Sequence, residues 1–64
     1  MTPPAEWPVC MKCGRYSAEV YPAGSHTWEV VVRDYKDVHH NHEVLGTLDY
    51  AAGIAVGIML ALTV

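Results

Sequence analysis

The stretch Val38-His39-His40-Asn41-His42-Glu43 decides how this chain is read, because it gathers three of the four histidines of a 64-residue sequence into four positions. Upstream stands a second cluster of metal-seeking groups, Cys10-Met11-Lys12-Cys13-Gly14, with 25 residues between Cys13 and His39. Zinc takes four sulfur or nitrogen donors at tetrahedral corners, and small structural sites draw two from each of two segments. The C-x2-C pair supplies one half. Asp37 suits the N-cap of a helix beginning DVHHNHEV, which sets His39 and His42 three apart on one face. Cys10, Cys13, His39 and His42 are thus the expected ligands of one structural Zn2+, with His40 and His42 as the alternative histidine pair. Gly14 fits a knuckle turn whose backbone N–H groups point at the sulfurs. Four protein donors leave no open coordination position, so the expected role is structural.

Size makes a staple plausible. Part of the chain is a separate apolar tail, and the remainder is near the lower limit for a self-sufficient core. A disulfide between Cys10 and Cys13 would close too small a loop to restrain the unfolded chain. The opening MTPP has neither a basic n-region nor an apolar h-region, which favours reduced thiols in a cytosolic setting. The formal charge is −3, and the cations Lys12, Arg15, Arg33 and Lys36 are outnumbered and form no run. Nucleic acid is not an expected partner on that balance.

Between the two clusters the period is two. Tyr16, Ala18 and Val20 fall on one face of a first strand and Trp28, Val30 and Val32 on one face of a second, with Pro22-Ala23-Gly24-Ser25 as the turn. A hairpin alone is marginal in water, so its apolar face needs a cover. Residues 1–8, with three prolines, read as an extended arm in which Trp7 is the anchor candidate.

From Tyr50 to Val64 there is no charged side chain. Fifteen residues of helix span about 22 Å, and extension back to Val44 gives about 31 Å, close to a bilayer's hydrocarbon thickness. Gly53, Gly57 and Ala61 recur every fourth residue and form a helix-packing stripe, suited to another membrane helix or to self-association. Arg33 and Lys36 precede the run, which places the rest of the chain on the cytoplasmic side. The competing expectation is that this helix is the hairpin's lid, laying Ile54, Ile58 and Leu62 over Trp28, Val30 and Val32.

CMKCG followed by VHHNHE resembles the zinc-containing branch of the HNH, or His-Me finger, nucleases, including the endonuclease VII-like group. The resemblance implies His40 as the base that activates water and His42 as a residue assisting the catalytic divalent metal. His39 stands where that family prefers aspartate, and Ala52 and Ala55 stand where a second cysteine pair would complete the family's zinc site.

Together these readings predict a small α+β chain in three parts: an arm over 1–8, a zinc-stapled knuckle and β-hairpin over 9–43, and a hydrophobic, transmembrane helix over 44–64. The expected function is that of a non-enzymatic zinc-binding accessory or adaptor protein, held in a membrane or membrane complex. A His-Me finger nuclease and a cytoplasmic zinc module oligomerising through its tail are the alternatives.

Overall fold

The computed structural model describes residues 8–64. Five elements follow one another: β1 (Val9–Cys13), β2 (Tyr16–Gly24), β3 (Thr27–Arg33), β4 (Val38–Leu45) and α1 (Leu48–Thr63). The strands form an antiparallel meander in the order β1-β2-β3-β4, and α1 lies across β1, β2 and β3 on one face. The other face is open. The expectations for the arm over 1–8 and for Trp7 lie, apart from Pro8, outside the described residues.

Local chemistry explains the turns. Cys13 pairs with Tyr16, which leaves Gly14-Arg15 as a two-residue hairpin turn. Gly14 has φ 62°, a left-handed value that a glycine adopts without steric cost and that primed hairpin turns require. It reverses the backbone between β1 and β2. The next turn lies two residues beyond the expected place: Gly24 pairs with Thr27, so Ser25-His26 forms it, and a bulge between Pro22 and Gly24 takes up Ala23.

Val30, Val31 and Val32 are all buried. Adjacent strand residues point to opposite faces, so Val30 and Val32 face α1 while Val31 lies on the open face, in register with Glu19 and Asn41. β3 is a central strand with a neighbour on each side. β2 supplies one neighbour. The segment expected to be a histidine-bearing helix supplies the other, because its backbone satisfies the donors and acceptors that β3 would otherwise leave open. Val30 is opposite His42 and Val32 opposite His40, and one extra residue, His39, bulges where the register shifts at Arg33. Asp37 therefore sits in a strand-to-strand turn. The N-cap in this molecule is Thr47, whose Oγ1 accepts from the Tyr50 backbone N–H at 3.1 Å.

The core lies between sheet and helix. Ala18, Val20, Val30 and Val32 meet Ala51, Ala55 and Met59, with Tyr16, Trp28, Val44, Leu48, Ile58 and Leu62 packed around them. Two alanines at the centre of the helix face let its axis approach the sheet, and Met59 fills the remaining gap. A fully buried valine or methionine contributes about 1.5–3 kcal/mol. The link into α1 is pinned twice: Trp28 Nε1 donates to the Gly46 carbonyl at 2.9 Å, and the Gly46 N–H donates to the His26 carbonyl at 2.7 Å.

These contacts correct the membrane expectation. α1 has 16 residues, about 24 Å of helix against a hydrocarbon layer of about 30 Å. Val44 and Leu45, which were to lengthen it, belong to β4. Among the described residues no helix is long and apolar enough to cross a membrane. The tail is the lid of the sheet, centred on Ala51, Ala55 and Met59.

Candidate functional site: a cationic cleft at one end of the sheet

In an antiparallel meander successive turns alternate between the two ends of the sheet. The β1–β2 turn and the β3–β4 loop therefore lie at the same end. On the open face there, Lys12 pairs with Ser17, Ser17 with Arg33 and Arg33 with Val38, one continuous row across four strands. Arg15 from the turn and Asp34, Tyr35, Lys36 and Asp37 from the loop wall this row into an open cleft of about 460 Å³. All four cations of the chain line it.

The charges around the cleft are sorted. Its lining also carries Asp34 and Asp37, which leaves a formal surplus of two positive charges. The rest of the chain holds the other five carboxylates and no lysine or arginine. Farther along the open face the cross-strand partners become Glu19 and Val31, then Tyr21, Glu29 and Glu43. Glu29 directly faces Glu43, a like-charge pair that costs stability.

Two of the charged groups are held in place. Arg33 Nη2 donates to Glu19 Oε1 at 2.8 Å, which fixes the guanidinium on the floor, while its buried Nε has no partner among the described residues. Glu19 also accepts from the Tyr21 hydroxyl at 3.0 Å. That hydrogen bond, with some desolvation and the charge of Glu19, raises the Tyr21 pKa above its ordinary value.

Asp34 organises the loop. Its Oδ1 accepts from the backbone N–H groups of Lys36 at 2.7 Å and Asp37 at 2.8 Å, and its Oδ2 lies 3.0 Å from His39 Nε2. The His39 contact first, then the two backbone donors, hold the Asp34 carboxyl far below the usual carboxylate range. The His39 ring in turn stands edge-on to Tyr16, centroids 5.4 Å apart. His39 is thus a brace for the cleft loop.

Lys12, Arg15 and Lys36 make no ion pair among the described residues. Arg15 lies 6.0 Å from the Tyr16 ring centre and Lys36 5.7 Å from that of Tyr35. Tyr35 itself is 77 % exposed. The arrangement offers exposed cations on long stems around a fixed guanidinium, which suits gripping an anion more than transforming one.

No protein-family model, curated protein or solved structure matches the chain. Function therefore rests on geometry.

The groups assigned to zinc are dispersed, which corrects the zinc-knuckle architecture. Cys10 and Cys13 are three residues apart in β1, about 10 Å along an extended strand and on opposite faces. Cys13 packs against the core, whereas Cys10 is exposed on the open face. The histidines are in β4, at the far edge of the sheet, three strand spacings or about 14 Å from β1. Among the described residues no group of three or more histidine, cysteine, aspartate or glutamate side chains could hold a metal ion.

His40 and His42 share the helix side of β4, exposed, their ring centroids 6.1 Å apart. Gly53, Gly57 and Ala61 lie on the exposed side of α1, and a Cβ added at either glycine would meet nothing within 4 Å. The cations of the cleft were visible in sequence as two pairs, 12/15 and 33/36, each flanking a chain reversal. Only the strand register shows that the two reversals are neighbours.

Proposed function

We propose that the chain is a small non-enzymatic binding module, an accessory or adaptor protein whose cleft captures a compact, multiply charged anion such as a phosphorylated group. One observation carries this reading: an acidic chain has all four of its cations on one concave surface. Unlike charges spread evenly, a concave cluster focuses its field on one spot and raises the local concentration of an anion there. The cleft volume is within the range of small-ligand sites, about 300–1,000 Å³.

Isothermal titration of the full chain with tripolyphosphate tests it. Binding that weakens steeply with added salt, and that falls at least about tenfold in the double variant Lys12→Ala/Arg15→Ala, is the expected result. Absence of binding at low salt would remove the proposal. Magnesium-dependent nicking of a plasmid, lost in His40→Ala, would move the assignment to the His-Me finger nucleases.

A further inference from the structure

The unpaired groups of the cleft are not all of one kind. Lys12, Arg15 and Lys36 are cations without a carboxylate partner among the described residues. The Asp37 side chain accepts no hydrogen bond among the described residues either, unlike Asp34, which is fully engaged. A site for bare phosphate gains nothing from a free carboxylate, which repels it. A ligand that carries donors as well as phosphates, such as the hydroxyls of a sugar, uses both signs. Tyr35 adds a third element: a largely exposed aromatic ring on the cleft wall, with the Lys36 ammonium 5.7 Å from its centre. Exposed aromatic rings beside cations are stacking platforms for nucleobases.

The surroundings limit the ligand's length. A strand of nucleic acid lying along the open face would pass from the cleft over Glu19 and then Glu29 and Glu43, with no cation to meet its later phosphates. The favourable charge is confined to one pocket.

Resting on the reading of the cleft as an anion site, we infer that its ligand is a nucleoside di- or triphosphate, with the phosphates held by Lys12, Arg15 and Lys36 and the base laid against Tyr35. Asp37 accepts from the sugar.

The full-length chain is titrated with ATP, tripolyphosphate, adenosine and a short oligothymidylate, in wild type, Tyr35→Ala and Tyr35→Phe, with circular dichroism confirming that the variants fold. ATP is expected to bind about tenfold more tightly than tripolyphosphate. Tyr35→Ala should remove that advantage by lowering ATP affinity more than tripolyphosphate affinity, and Tyr35→Phe should restore it. Equal affinities for ATP and tripolyphosphate in wild type would overturn the nucleotide inference and leave the anion site standing. Oligothymidylate binding more tightly than ATP would overturn it in favour of a nucleic-acid strand. Failure of every anion to bind would take the anion site down as well.

Discussion

The two faces of the sheet are made from alternate residues of the same strands, yet they differ in nearly every physical respect. Under α1 the face is apolar and closed, with Ala18, Val20, Val30 and Val32 wholly inaccessible to solvent. The open face holds Lys12, Ser17, Glu19, Glu29, Arg33 and Glu43 around one buried valine, Val31. Most of the buried core is on one face, and the cleft proposed to bind an anion is on the other. Because a strand residue belongs to one face only, substitutions should affect stability without binding, or the reverse.

The largest test of that separation is Met59→Ala, which empties the centre of the closed side. It is expected to cost about 2–5 kcal/mol in urea unfolding while leaving the folded protein's affinity for tripolyphosphate unchanged. A loss below about 1 kcal/mol would mean that α1 does not seal the core. The converse substitution, Arg15→Ala, should weaken tripolyphosphate binding about tenfold and move stability by no more than about 0.5 kcal/mol. Loss of both together would break the separation.

A smaller effect belongs to Asp34, which sharpens the comparison because it braces the β3–β4 loop that walls the cleft. Its folded carboxyl titrates far below the ordinary range, so its stabilising contribution is present above about pH 4 and is lost as pH falls through the depressed folded value. Thermal midpoints taken from neutral pH down to about pH 2 should fall more steeply in wild type than in Asp34→Asn. Parallel curves would show that the brace is absent. The smallest change expected is a gain: Gly57→Ala on the outer side of α1 should add about 0.5–1 kcal/mol, since the new methyl meets open space. If Gly53, Gly57 and Ala61 instead pack against another helix, sedimentation will show the assembly weakened by the same substitution.

Two of the four strands, β2 and β3, were legible in sequence, whereas β1 was read as a zinc knuckle and β4 as a helix. The alternation through Tyr16, Ala18 and Val20 and through Trp28, Val30 and Val32 correctly names the covered face. The sequence reading went astray at residues 38–45, where Asp37 mimicked a helix cap and the spacing of His39 and His42 fitted a helical turn. The same residues also alternate, His40, His42 and Val44 against Asn41, Glu43 and Leu45, and that alternation is the one the strand follows. The tail misled for a different reason. A helix with small, uncharged residues on its outer side lacks the polar face that identifies a lid, although Ala51, Ala55 and Met59 meet the sheet as a lid does. The cleft was not legible from spacing, because Lys12 and Lys36 become neighbours only through register.

The sorting of charge along the open face has a kinetic consequence. Arg33 and Glu29 are four residues apart on β3, about 13 Å, so positive and negative poles are separated by a sizeable fraction of the molecule. The sheet is an electric dipole, and an incoming anion exerts a torque that turns the cleft toward it before contact. Reversing Glu29 and Glu43 to lysine would blunt this orientation, and the encounter rate would respond even though neither side chain touches what is captured.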